Sequence, residues 1–182
     1  WWSSMDSELI YVGDAGTVEP NDGSERNGYE LTAFYKPNNW LAIDAVWTGT
    51  TSRYVDVPAG QDYIPGALEN SGELGISAAF PEWNAAARVR YLGPAAQIED
   101  NSVRSDSTTL VNLRAAWTPQ GIEFLRGWEV HAELLNVFDS KDNDITYFYA
   151  TRLPGEPAEG IESIVSRIVE PRQVRVGVTR RF

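Results

Sequence analysis

The chain has 182 residues, 42% of them hydrophobic and 12% aromatic, with no cysteine and a formal net charge of −11 at pH 7. The lack of cysteine excludes a disulfide framework and any thiolate metal site, and so much negative charge disfavours nucleic acid or an anionic lipid surface as the main partner. No apolar run reaches the roughly 18 residues of a transmembrane helix, but a membrane β-strand needs only about 10 alternating residues.

The opening Trp1-Trp2-Ser3-Ser4 has neither the basic nor the apolar region of a signal peptide. In a membrane β-protein such a start is expected where the N-terminal part lies elsewhere. From there, period-2 alternation predicts eight strands, at about 3–12, 27–36, 40–51, 70–80, 84–93, 107–118, 128–138 and 172–182. Each has about the length of a tilted strand crossing a bilayer. Their connections alternate in length. Pro37-Asn38-Asn39 and Pro81-Glu82-Trp83 are tight turns and 119–127 is a modest one, whereas 13–26, 53–69, 94–106 and 139–171 are long and rich in Gly, Pro, Asp, Glu and Ser. A soluble sandwich has no reason to collect every long loop at one end. An outer-membrane barrel does, with short periplasmic turns and long extracellular loops.

The two faces of the strands differ sharply. One carries Leu31, Ala33, Tyr35, Ile43, Ala45, Trp47, Leu74, Ile76, Val89, Leu113, Val130 and Leu134; the other carries Glu30, Asp44, Glu73, Arg88, Arg90, Arg114, Glu129, His131, Glu133, Arg175 and Arg181. Filling a small soluble barrel with those charges costs several kcal/mol each unless they are paired. Exposing the apolar face to water exceeds the few hundred Å² that a soluble monomer tolerates. Lipid outside and water or a polar plug inside satisfies both faces, so Arg88, Arg90, Arg114, Glu129, His131, Glu133 and Arg175 are expected to face the lumen.

Aromatic residues are expected in two girdles. Trp1, Trp2, Tyr35, Trp40, Phe80, Trp83, Trp117, Trp128 and Phe182 map to the short-turn end, and Tyr11, Tyr29, Trp47, Tyr54, Tyr91 and Phe138 nearer the long-loop end. The final stretch condenses the pattern, with Val174, Val176 and Val178 on one face, Arg175 and Arg181 on the other, and Phe182 at its end.

Two stretches go further. Glu133-Leu134-Leu135-Asn136-Val137-Phe138-Asp139 is similar to the penultimate-strand motif of TonB-dependent outer-membrane receptors, and Glu170-Pro171-Arg172-Gln173-Val174-Arg175-Val176-Gly177-Val178 resembles their last strand. Asp6-Ser7-Glu8-Leu9, Val12-Gly13-Asp14-Ala15-Gly16 and Arg26-Asn27-Gly28-Tyr29-Glu30-Leu31 resemble strand and loop segments of the same receptors, so the likeness extends over essentially the whole chain. It implies an all-β, antiparallel, up-and-down barrel of about 22 strands, plugged by an N-terminal domain. Residues 1–182 are then the C-terminal barrel segment, without the plug and earlier strands. The resemblance further implies a Gram-negative outer-membrane transporter, not an enzyme, that takes up a scarce nutrient such as a ferric siderophore, energised through TonB. Its partners are outer-membrane lipid, its own plug and TonB, the barrel assembly machinery and an extracellular metal chelate. Gly177, Val178 and Phe182 match the barrel-assembly signal, but Arg180 stands where the family has an aromatic or apolar residue. An Arg180 that faces lipid must snorkel to the headgroups.

The remaining chemistry weighs less. His131 with Ser77 and Asp44 suggests a hydrolytic triad, yet no Gly-x-Ser-x-Gly elbow occurs. Glu129, His131 and Glu133 line one strand face, but alternate side chains are roughly 7 Å apart, too far for one ion. Asp139, Asp142, Asn143 and Asp144 lack calcium-loop spacing and read as a solvated acidic loop. No cofactor is expected. Tyr147, Phe148, Tyr149 and Arg152 read either as a ligand-contact loop or as a hairpin extension above the membrane. The alternative to the receptor reading is a self-contained eight-stranded structural or adhesion barrel.

Overall fold

The structure is a computed structural model that describes residues 1–12 and 17–181, without the side chains of residues 10–12. It comprises β1 (Trp2–Met5), β2 (Glu8–Val12), β3 (Thr17–Asn21), β4 (Ser24–Tyr35), β5 (Leu41–Tyr54), β6 (Asn70–Ala79), β7 (Trp83–Leu92), β8 (Thr108–Trp117), β9 (Trp128–Leu135), β10 (Asn143–Thr151), β11 (Ile161–Ile168) and β12 (Gln173–Arg180), with one short 3₁₀ turn at Glu123–Leu125. Eight strands form one antiparallel meander in the order β1-β4-β5-β6-β7-β8-β9-β12. The other four form two separate hairpins, β2–β3 and β10–β11. Among the described residues, β1 and β12 each pair along one edge only, so the sheet is open.

Short turns are built from local side-chain bonds. Asn38 Oδ1 accepts the N–H groups of Trp40 (3.0 Å) and Leu41 (2.9 Å), closing the β4–β5 turn, while Phe80 N–H donates to Trp83 C=O (2.6 Å) after β6. The long connections all lie at the opposite end. Two of them carry a hairpin of their own, because a connection of this length gains stability by pairing its own backbone.

Register settles the faces. Tyr35, Ile43, Ile76, Ala87, Leu113, Leu134 and Val174 form one row across β4 to β12, each residue the Cα partner of the next. Directly opposed residues project to the same side. The apolar set therefore occupies one face and the charged set the other, as the alternation predicts. The apolar face is bare: Leu31 is 63% exposed and Val176 69%. The loops bury residues of their own, with Ile64, Ala95, Ala96 and Val169 all below 9%.

The first strand differs from expectation. Asp6 and Ser7 break the predicted 3–12 segment, leaving four residues in the wall and diverting Glu8–Val12 into a hairpin. β1 pairs with Ser24–Asn27, the long-loop end of β4, so Trp1 and Trp2 sit at that end and not at the short-turn end. Tyr54 is a second correction. It shares the charged face and is 4% exposed, so it is no interface ring. Tyr11 and Phe182 lie outside the residues whose side chains are described. Elsewhere the girdles take shape as stacked pairs: Trp40–Phe80 at 5.4 Å and Trp83–Trp117 at 5.8 Å near the short turns, and Trp47–Tyr91 at 5.7 Å toward the loops.

Candidate functional site

The charged face is a set of cross-strand rows, and ion pairs run along two of them. In one, Asp44, Gly75 and Arg88 are successive partners on β5, β6 and β7. A Cβ on Gly75 would strike the Asp44 carboxylate, so the glycine lets Asp44 reach across a whole strand to Arg88, at 3.5 Å. Arg88 also pairs with Glu73. Alternation puts Asp44, Glu73 and Arg88 on one face but does not join them; the sequence signal for their meeting is the glycine inside an otherwise regular strand. In the second row Arg114, Glu133 and Arg175 are partners on β8, β9 and β12, with Arg114 Nη1 3.1 Å from Glu133. Arg90 and Arg175 are exposed on the same face, Arg175 bonded to Gln173 (3.1 Å).

His131 belongs to the next row toward the short turns, between Ala116 and Gly177. Its imidazole lies over Gly177, where a Cβ would collide with it. Gly177 thus has a packing reason besides its place in the terminal motif. Glu129 lies 4.0 Å from His131 and 3.6 Å from Arg181, and Glu133 is turned to Arg114. The carboxylates flanking His131 are engaged with arginines and do not converge on one point. Ser77 is three strands from His131 and Asp44 four, roughly 14 and 19 Å at strand spacing, so no triad is assembled. Arg180 is opposite Trp128 on the apolar face, its guanidinium 5.3 Å from the ring centroid at the short-turn boundary. Val178, opposite Val130, shares that face.

At the long-loop rim the two resemblance motifs meet in a clasp. Asn136 is 5% exposed and holds a left-handed backbone, φ 48°. Its Nδ2 donates to Ser140 C=O (3.0 Å) and Glu170 C=O (2.9 Å), its Oδ1 accepts the N–H of Ser140 (2.9 Å), and its own N–H donates to Asn112 Oδ1 (2.9 Å). Asp139 accepts the N–H of Arg172 and the Lys141 ammonium, each at 3.0 Å. Asp142 Oδ2 accepts the N–H of Thr109 (2.8 Å), and Asp144 is 3.9 Å from Arg167. The acidic run therefore ties the base of the longest loop to both flanking strands.

The Arg172 N–H, and after it Lys141, hold the Asp139 carboxyl below the ordinary carboxylate range. A pKa lower in the folded state adds stability that is full above the unfolded value of about 4 and is lost as pH falls through the folded value. We expect wild type and Asp139→Asn to differ by a constant amount between about pH 5 and 8 and to converge below about pH 4. Urea midpoints in detergent across that range measure this; a gap that persists in acid would remove the assignment.

The β10–β11 hairpin carries the predicted loop residues. Tyr147 and Tyr149 share one face, partnered by Val165 and Ser163, while Phe148 lies on the other, opposite Ile164. Arg152 follows the hairpin strand, exposed at its tip. The aromatic cluster is thus divided between two faces, because neighbours on a strand point in opposite directions. The β2–β3 hairpin instead folds against the charged face: Arg26 pairs with Glu8, and Asn21 Nδ2 donates to the Tyr54 hydroxyl (2.9 Å).

The sequence matches no family model and no curated protein. Solved structures do match. The ferric-catecholate import receptor Fiu of E. coli K12 aligns over 97% of this chain at 14% identity with a TM-score of 0.66. The siderophore receptor PiuA of Acinetobacter baumannii aligns over 97% at 14% identity and 0.67, and the copper transporter OprC over 98% at 15% and 0.63. The chain has the fold of the TonB-dependent receptor barrel. It spans 23% of the Fiu chain, 24% of PiuA and 29% of OprC. The matched structures are receptors and transporters, not enzymes.

Proposed function

We propose that the chain is the C-terminal segment, residues 1–182, of the barrel of an outer-membrane receptor in a Gram-negative bacterium, with the plug and earlier strands supplied outside it. The observation that carries this reading is the open eight-stranded meander, apolar outside and charged inside, whose edge strands β1 and β12 each keep one edge unpaired among the described residues. Unpaired edges cannot rest in hydrocarbon, so both require further strands. A self-contained eight-stranded barrel requires β1 to pair with β12, and β1 holds only four residues, too few to span a bilayer.

The cargo is a scarce nutrient, such as a ferric siderophore or another metal chelate, and import draws on TonB. The siderophore receptors and copper transporter sharing the fold support that class of cargo. Arg90, Arg114 and Arg175 offer lumenal contacts to the plug, and the hairpin residues Tyr147, Tyr149, Phe148 and Arg152 offer contacts to ligand above the membrane. Gly177, Val178 and Phe182 present the terminal strand to the assembly machinery. Uptake of a radiolabelled ferric chelate by cells producing the full receptor is expected to fall to background when TonB is deleted. Uptake that continues at the same rate without TonB would make the barrel a passive pore and end the energised reading.

A further inference from the structure

The β2–β3 hairpin is held to the charged face by one side-chain bond from each of its strands, among the described residues. Glu8 on β2 accepts from Arg26, and Asn21 on β3 donates to the Tyr54 hydroxyl. Its links to the wall strands are two short connections, Asp6-Ser7 and Asp22-Gly23. Four wall residues in two rows make its seat, Ser24 with Tyr54 and Arg26 with Ser52. They stand at the long-loop end of the face, where a solute entering from outside arrives first.

The fit of the hairpin to this seat is incomplete. Arg26 meets Glu8 through one nitrogen, Nη2, and one oxygen, Oε1. Arg26 Nε and Glu8 Oε2 are buried without hydrogen-bond partners, and so are the hydroxyls of Ser24 (0% exposed) and Ser52 (4%). A planar carboxylate set square to a guanidinium fills two of its N–H groups at once. Glu8, on a ribbon also tied at Asn21, fills one. Buried donors and acceptors left open cost stability, so Glu8 is a poorer occupant than a carboxylate free to turn. Nor does the ion pair close the seat to anions, since its acidic half leaves with the hairpin. Once Glu8 is withdrawn, Arg26 is the one charged residue of the four, and its side chain is already 27% exposed.

We infer that Glu8 stands in for a ligand carboxylate: the β2–β3 hairpin is an autoinhibitory latch, and a carboxylate-bearing ligand displaces Glu8 to take Arg26 and the Ser24 and Ser52 hydroxyls. This rests on the receptor reading above, which makes the charged face lumenal. The test uses the full receptor in detergent and calorimetric titration with three probes: ferric citrate, metal-free citrate and a ferric tris-hydroxamate chelate that has no carboxylate. Glu8→Gln and Arg26→Gln abolish the same ion pair, yet the latch requires opposite effects. Citrate should bind about tenfold tighter to Glu8→Gln, which lacks the tethered competitor, and at least about tenfold weaker to Arg26→Gln. S24A/S52A removes hydroxyls that have no partner in the closed form, so it should weaken binding about threefold and leave the unfolding midpoint unchanged. Spin labels at V18C on the hairpin and K36C at a short turn should report the same displaced hairpin in ligand-free Glu8→Gln as in citrate-saturated wild type. Heat-modifiable gel migration shows that each variant is folded. A purely structural ion pair shifts binding the same way in both variants or not at all, and either result overturns the latch. So does a hydroxamate chelate that binds as tightly as citrate. Tighter binding of ferric than of metal-free citrate assigns the carboxylate to a chelate, and equal or weaker binding to a free acid; both keep the site. A receptor whose uptake is unchanged without TonB fails at the earlier reading; one that imports through TonB but binds citrate alike in both variants fails only here.

Discussion

Asn136→Ala is expected to destabilise the barrel by about 3–5 kcal/mol: three side-chain hydrogen bonds at roughly 1 kcal/mol each, plus about 1 kcal/mol or more for alanine in a left-handed backbone. The loss is large because the amide is buried and holds the carbonyls of Ser140 and Glu170 together, at the centre of a junction that the Arg172 N–H to Asp139 and Val169 N–H to Asp142 C=O bonds only flank. Asn136→Gly relaxes the backbone and keeps none of the bonds, so it separates the two contributions. Asn136→Asp keeps the acceptor and sets a carboxylate against two carbonyls, and should cost nearly as much as alanine. Urea unfolding of the receptor in micelles, followed by tryptophan fluorescence, reports all three. An Asn136→Ala change below about 1 kcal/mol would show that the clasp is incidental.

Leu74→Arg is expected to cost about 2–4 kcal/mol in a bilayer and to lower the yield of assembled receptor, since it places a cation on the outward face in mid-strand. Its neighbour Glu73 points the other way, and Glu73→Gln should cost less than about 1 kcal/mol, because an exposed ion pair with Arg88, which keeps Asp44, is all it removes. Paired unfolding measurements in vesicles read the contrast. Similar costs at both positions would mean that the apolar face is not in lipid.

Much of the wall was legible in the sequence because its signals are local. The turn at Pro37-Asn38-Asn39 closes through an asparagine two residues before its first partner, and the rows from Tyr35 to Val174 follow from a side-chain period of two. Loop length likewise reports the sides of the membrane. The clasp was half legible. The residues of Leu134 to Asp139 and Glu170 to Arg172 stood out as motifs, but their meeting through Asn136 spans more than thirty residues and depends on two strands being neighbours. The acidic run that resembled a cation loop proved to be spent on closing that loop.

By itself the sequence determined the fold class, the faces of the long wall strands β4 to β9 and β12, and the end at which each connection lies, since alternation and turn chemistry act within a few residues. Only the tertiary structure decided where strands stand against one another. It set β1 against the long-loop end of β4, which places Trp1 and Trp2 at that end of the sheet, and it brought Asp44 to Arg88 across Gly75. It also placed Arg53, from the end of β5, and Arg104, from the loop before β8, beside one outward niche. Alternation with period two is unchanged when a strand slides by two residues, so face can be read from pattern, while height and partner come only from pairing and packing between distant segments.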